Sequence, residues 1–217
     1  MIITISRQYL AGADKVAERV ASELGWTVVD DAFIDTLAER SGYDPDDVRG
    51  LEERVPTFME RFAWSSALST PELLAAAPDA IDEPEAIKLA HLTRDLVAEL
   101  GRRDRVVLVG RAAAAVLARE RDAIHVWLVA SVAQRTREAM RRYGMSESEA
   151  RAALHERDTS RARYHLELYG RVWADPVNYH FVLNTELLGV EGAADLILAR
   201  ARALGWYGSG GAPVRVP

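Results

Sequence analysis

Five short, nearly unbroken apolar runs recur along the chain with helical patterns between them, and this alternation constrains the fold more than any other feature. The runs are Ile2–Ser6, Thr27–Asp30, Arg105–Gly110, Ile124–Ala130 and Tyr179–Asn184, and each has the length and β-branched content of a strand. A strand with one face in water alternates polar and apolar residues. An unbroken apolar run predicts cover on both faces, which is the pattern of a parallel sheet between helices. Between the first two runs, Val16, Val20 and Leu24 fall at i, i+4 and i+8 with Ala17 and Ala21 beside them, and Gly25 stands where such a helix would stop. The spacing predicts a βαβ unit of about thirty residues and an α/β fold.

Two stretches interrupt the alternation. Residues 31–103 are helix-rich: Ala32–Arg40 has helical spacing, Asp44-Pro45 is a cap followed by a first-turn proline, and Glu83–Gly101 leads as a long helix into the third strand. Residues 142–178 form the second stretch. It starts with Ser146-Glu-Ser-Glu149, a capping box, and continues through an arginine-dense helical run from His155 to Tyr164. The tail 208–217 has the Gly- and Ser-rich composition of a flexible segment. The chain has 217 residues, 49% of them hydrophobic. That is enough for one well-buried core, so residues 1–207 are expected to form a single domain.

The 27 basic and 33 acidic residues leave a net charge of −6. Such a surface repels polyanions, so nucleic-acid polymers are not expected partners, and any anion site must be a local concentration of arginine and lysine. The absence of cysteine removes disulfides, thiolate catalysis and cysteine zinc sites. No run approaches the roughly 18 apolar residues of a membrane span. The opening Met-Ile-Ile-Thr-Ile-Ser-Arg reads as a buried strand and not as a signal peptide. A cytoplasmic location without membrane contact is expected.

Ligands of open parallel sheets bind beyond the carboxyl ends of the strands, and three segments with suitable chemistry converge there. The first is Ser6-Arg-Gln-Tyr-Leu-Ala-Gly12, a strand-to-helix turn whose free N–H groups and helix dipole would favour a phosphate. Set against the pattern G-x-x-x-x-G-K-[ST], Arg7 takes the first Gly slot, Gly12 the second, Ala13 the Lys slot and Asp14 the Ser/Thr slot. Lys15 is displaced by two positions, roughly 200° around the helix, and cannot simply stand in. By itself the turn reads equally as an ordinary βα connection. The second segment, Val107-Leu-Val-Gly110-Arg111, places a guanidinium beside a strand end, either gripping a phosphate bidentately or solvated on a loop. The third is Arg157-Asp158-x-x-Arg161-x-Arg163. Arg157 and Arg161 share one helix face, and Asp158 can pair with Arg161 at i, i+3. A charged helix is usually a solvated face, but arginines carried onto transferring phosphoryl oxygens would supply the positioning and cationic stabilisation that such transfer needs.

Together these segments resemble the cytidylate kinase-like family, within the nucleoside monophosphate kinases, over about residues 1–200. The resemblance rests on Ile3-Thr-Ile-Ser-Arg7 with Gly12, Val29-Asp30, Val109-Gly110-Arg111, Arg142-Tyr-Gly144, Arg157-Asp158-x-x-Arg161-Ala-Arg163-Tyr164, Trp173-x-Asp175-Pro176-x-Asn178-Tyr179 and Leu183-Asn184-Thr185. It implies a P-loop kinase-type three-layer α/β/α fold. The sheet would have five parallel strands, residues 31–103 would be a helical monophosphate-binding insertion, and residues 142–178 an arginine-rich lid. It implies ATP and Mg²⁺, small nucleotides as partners, and CMP or a similar nucleotide as acceptor. The Ser6–Gly12 turn with Ala13, Asp14 and Lys15 would hold donor phosphates, and Arg111 after Gly110 would bind the acceptor phosphate. Arg157, Asp158 and Arg161, with Arg163, would clamp the phosphates, and Asp30 would border the acceptor pocket or serve as a helix N-cap.

The chain also departs from the fully active pattern of the resembling kinases, which carry Gly-Lys in the loop and Gly-Arg-Asp after the third strand. Here Ala13, Asp14 and Ala112 stand at those places. Asp14 is then either a Mg²⁺ ligand or a charge opposing a triphosphate. A catalytically inactive nucleotide sensor with a degenerate loop is the alternative to the kinase. The five histidines form no metal-type pair and are expected to be structural or superficial. Tyr164, Tyr169 and Trp173 would pack the lid onto the core or stack on a base, and Phe58, Phe62 and Trp64 would belong to the core. Apolar runs such as Leu73-Leu-Ala-Ala-Ala77 suit either substrate binding or a homodimer contact.

Overall fold

A computed structural model describes residues 1–29, 31–42 and 85–207. Five strands form where apolar runs stand: β1 (Ile2–Arg7), β2 (Thr27–Val29), β3 (Val106–Val109), β4 (Ala123–Val129) and β5 (Phe181–Asn184). All pair in parallel, in the order β2-β3-β1-β4-β5. The inner strands β1, β3 and β4 are buried along nearly their whole length, whereas the edge strands β2 and β5 are mostly half-exposed. The unbroken hydrophobicity of the inner runs thus has its expected cause, cover on both faces.

Seven α-helices are described: α1 (Ala13–Leu24), α2 (Asp31–Ser41), α3 (Glu85–Arg102), α4 (Ala113–Val116), α5 (Val132–Tyr143), α6 (Glu147–Tyr169) and α7 (Thr185–Ala203). One face of the sheet, with Ile3, Ile5, Val107, Ile124, Val126 and Leu128, packs against Val16 and Val20 of α1 and Ile197 and Leu198 of α7. The other, with Ile2, Val106 and Leu108, packs against Leu37 of α2, Leu96 of α3 and Ala113 of α4. The result is the expected three-layer α/β/α arrangement. The helix after β1 goes to one face and the helix after β3 to the other, although β1 and β3 are neighbours. Their carboxyl ends therefore flank a crevice, the usual ligand position in such a sheet.

Local signals hold where they were clear. Helix α1 ends at Gly25, in the left-handed region at φ 66° with its N–H on the Ala21 and Ser22 carbonyls. The capping box at Ser146 is formed, with the Ser146 N–H donating to Glu149 Oε2 at 2.8 Å and the Glu149 N–H to Ser146 Oγ at 3.3 Å. It starts a helix of 23 residues that ends at Gly170, so the arginine segment rides on one rod of about 34 Å. A short 3₁₀ turn (Pro176–Asn178) then leads into β5. No described helix is long and apolar enough to cross a membrane. Asp30, the Asp44-Pro45 start, Phe58, Phe62, Trp64, the Leu73–Ala77 run and the tail from Gly208 lie outside the described residues.

Candidate functional site

The crevice between β1 and β3 opens into a cavity of about 360 Å³. Ser6 and Arg7 enter it from the end of β1, Gly110, Arg111 and Ala112 from the turn after β3, and Glu156, Arg157, Ser160, Arg161, Tyr164 and His165 from α6. Thr93 of α3 and Trp173 close it. Four guanidiniums thus come together from three separated segments, in a protein of net charge −6. The one carboxylate among the described lining residues is Glu156, which is exposed. Such an excess of positive charge in a concave site favours anions.

The turn after β3 is shaped for this. Gly110, Arg111 and Ala112 have φ of 79°, 53° and 48° in succession, and left-handed conformations cost non-glycine residues roughly 1–2 kcal/mol each. Such outliers persist where surrounding structure over-determines them, commonly at functional sites. Here the Gly110 N–H donates to the Ile5 carbonyl at 3.0 Å and the Ala113 N–H to the Gly110 carbonyl at 2.9 Å. A methyl group on Gly110 would collide with the Arg7 guanidinium. The glycine therefore suits both the left-handed backbone and the space in which Arg7 lies.

Helix α6 is docked on the first turn. Arg161 Nη1 donates to the Arg7 carbonyl at 3.2 Å, and the guanidiniums of Arg157 and Arg161 lie over the Tyr9 ring at 4.9 and 5.8 Å from its centroid. Asp158 does not face the cavity. Its Oδ1 accepts from the Tyr9 N–H at 2.7 Å, and its Oδ2 pairs with Arg135 at 2.6 Å. Arg135 is a residue that the sequence pattern did not single out. It is buried at 4% exposure, donates to the Ala130 carbonyl from Nε and to the Tyr9 carbonyl from Nη1. No signal in the sequence separates it from Arg137, Arg141 and Arg142 of the same helix.

The other expected phosphate ligands are distributed differently. Ala13, in the lysine slot, is buried in the core against α7, so its side-chain direction leads into packing and away from the cavity. Gly12 adopts φ 78° and caps α1 without a side-chain hydrogen bond, and it is not among the residues that line the cavity. Asp14 is exposed and stands 3.9 Å from Arg142. Lys15 is exposed too, on the side of Glu138, whose carboxyl pKa it helps to lower. Arg163 is exposed and absent from the lining, since two helix positions turn it roughly 200° from Arg161.

Aromatic residues at the root of α6 pack it onto the sheet and also close the cavity. His165 and Trp173 approach at 6.3 Å between centroids, Trp173 meets Trp127 of β4 edge-on at 5.8 Å, and Trp127 stacks on Tyr179 at 5.7 Å. Tyr164 contacts Tyr169 at 6.0 Å, and burial pushes its hydroxyl pKa well above the usual range. Burial, with Arg171 and Arg161 nearby, lowers the His165 pKa to about 4. His125 is likewise lowered to about 4 by burial and then by His180, and its Nδ1 lies 2.8 Å from Thr4 Oγ1. Both imidazoles are neutral at physiological pH, as expected of structural histidines. Among the described residues no group of three or more His, Asp or Glu side chains could hold a metal ion.

Comparison with known proteins agrees with this fold. The model of the cytidylate kinase-like family matches residues 2–187. A cytidylate kinase of Methanopyrus kandleri is 32% identical over 120 residues, which cover 48% of this chain and 62% of that enzyme. The chain thus spans less than two thirds of that relative. Among solved structures, an uncharacterized protein from Eubacterium ventriosum superposes with a TM-score of 0.66 at 18% identity, over 94% of this chain and 99% of that one. A shikimate kinase from Bacteroides thetaiotaomicron superposes with a TM-score of 0.52 at 13% identity, over 93% and 98% of the two chains. At these identities the two structures establish the shared fold.

Proposed function

The chain belongs to the cytidylate kinase-like family, and from that premise we propose that it is a nucleoside monophosphate kinase acting on CMP or a similar nucleotide. The observation that carries this reading is the convergence of Arg7, Arg111, Arg157 and Arg161 on one cavity at the carboxyl end of the sheet. Phosphoryl transfer requires little covalent work from the protein: the reacting groups must be aligned and the charge on the equatorial oxygens balanced. An oxygen of the acceptor phosphate attacks the γ-phosphorus of ATP, the bond to the bridging β-oxygen breaks, and ADP leaves with that electron pair. Arg111 holds the acceptor phosphate, and Arg7, Arg157 and Arg161 bring charge onto the transferring group as α6 excludes water. The Gly12 turn and the first N–H groups of α1 receive the donor phosphates. A cytoplasmic location goes with this use of ATP.

Magnesium, when bound with the donor, would supply further neutralisation of the phosphate charge. The residues near the loop fit an ion held mainly by phosphate oxygens and water, with one exposed carboxylate, Asp14, to add. A second reading, a nucleotide sensor that binds without turnover, has two observations in its favour. The Asp158 carboxylate already accepts the Tyr9 N–H within the turn, and the lysine slot is filled by the buried Ala13.

A coupled assay for ADP release from ATP–Mg²⁺, across a panel of nucleoside monophosphates and beside Arg161→Ala, decides between them. The kinase reading expects turnover with a pyrimidine monophosphate that is lost in the variant. Nucleotide-dependent stabilisation with no turnover on any acceptor would replace it by the sensor.

A further inference from the structure

We infer that Arg135 and Asp158 are positioning residues that brace the phosphate turn through the peptide groups of a single residue, Tyr9. Three contacts close a ring. The Tyr9 N–H donates to Asp158 Oδ1 at 2.7 Å, the Tyr9 carbonyl accepts from Arg135 Nη1 at 3.2 Å, and Arg135 Nη1 meets Asp158 Oδ2 at 2.6 Å. Arg135 is anchored behind the ring by its Nε on the Ala130 carbonyl at 3.1 Å, at the end of β4. The turn needs such support. It has no glycine before Gly12, and Leu10 next to Tyr9 is held at φ 62°, a conformation that costs a branched side chain energy. Charge-assisted bonds to both polar groups of the neighbouring residue are well suited to hold it there. Gln8 fixes the strand side of the same turn, its Oε1 accepting from the Ala130 N–H at 3.1 Å and its carbonyl from the Ala11 N–H at 3.1 Å.

The brace differs from a simple lid anchor. Asp158 lies on α6 and Arg135 on α5, so docking of the lid helix and the shape of the phosphate turn are one event. Loss of the contact with Asp158 releases Tyr9 and, with it, the N–H groups that follow. The part of this inference that concerns donor affinity rests on the kinase reading above; the bracing itself does not.

The test uses the full chain with Asp158→Ala, Asp158→Asn and the exchange Arg135→Asp with Asp158→Arg. Hydrogen exchange of the Tyr9 to Gly12 amides is followed against the β1 amides, together with affinity for ATP–Mg²⁺ and the melting temperature. Asp158→Ala should speed exchange in the turn about tenfold or more relative to β1 and weaken ATP–Mg²⁺ at least about fivefold. Asp158→Asn keeps an acceptor oxygen for the Tyr9 N–H and should fall nearer the native protein. The exchanged pair restores opposite charges, but an arginine at 158 cannot accept an N–H. It should therefore recover melting temperature without recovering protection of the turn. Unchanged exchange in Asp158→Ala, equal effects of Ala and Asn, or an exchanged pair that restores protection would each overturn the brace. If the exchanged pair does not fold, the Ala and Asn comparison decides alone. A native protein with no affinity for ATP–Mg²⁺ would sink the kinase reading, while the exchange rates still decide the brace.

Discussion

Two buried neutral histidines should make the fold acid-labile in a pH window where carboxylates contribute little. His125 and His165 are 4% and 7% exposed, and burial lowers both from 6.5 to about 4. In the unfolded chain each takes up a proton below its ordinary pKa, whereas in the folded chain it does so only near 4. Their contribution to stability is therefore complete above pH 6.5 and is lost as the pH falls toward 4. Between pH 7.5 and pH 5 the linkage amounts to about 2 kcal/mol for each histidine, or about 4 kcal/mol together. That is a large part of the 5–15 kcal/mol typical of a domain. His180, lowered in the same direction by burial, adds to the trend. The depressed carboxyls Glu99, Glu138, Glu149 and Glu186 start from 4.5, so their share is lost below that pH. Urea unfolding followed by circular dichroism from pH 7.5 to pH 5 measures the effect, with His125→Gln and His165→Gln as controls. Each variant should remove about half of the pH-dependent loss, about 2 kcal/mol, whatever its stability at pH 7.5. If both variants keep the native acid dependence, the histidines do not carry it.

Other outcomes follow from the site and its supports. Arg111→Ala and Arg161→Ala should lower turnover at least about a hundredfold while moving the melting temperature by only a few degrees; severe melting with normal activity per folded molecule would remove them from the site. Gly110→Ala should cost about 1–2 kcal/mol through its positive φ and also lower turnover, because the added methyl meets Arg7; a loss of stability alone would show that Arg7 can relocate. Ala13→Lys should not raise turnover and should destabilise by several kcal/mol, since the position is 3% exposed in the core; a gain in kcat without a stability penalty would contradict that placement. Ser146→Ala should cost about 1 kcal/mol in chemical unfolding and leave kcat within about twofold.

Much of the fold was legible because it follows from periodicities that survive tertiary packing. Val16, Val20 and the alanines between them declared one face of α1, Gly25 its end, and Ser146 with Glu149 the start of α6. Strand boundaries were placed within a residue or two, since Arg105, Gly110 and Ala130 lie just beyond the paired segments. The site was less legible. Arg7, Arg111, Arg157 and Arg161 stand out in the sequence and meet in one cavity, but Arg135 is hidden beside Arg137, Arg141 and Arg142 of the same polar helix. Only contact with Tyr9 and Asp158 distinguishes the buried one. Conversely, Asp158 and Arg163 belong to the same short motif as Arg161 yet point to the loop and to solvent, because helix rotation separates neighbours. Gly189, at φ 68°, puts a kink within α7.

The ring stack beneath the cavity gives the protein an optical reporter of its own. Trp173 lines the cavity and meets Trp127 edge-on, whereas Trp26 and Trp206 lie 5.6 Å apart in the core cluster on the opposite sheet face. A ligand that enters the cavity or shifts the root of α6 changes the surroundings of the first indole pair and leaves the second as an internal reference. Intrinsic emission, recorded in a Trp64→Phe background with Trp173→Phe as the silent control, can therefore time occupancy and closure without an attached dye.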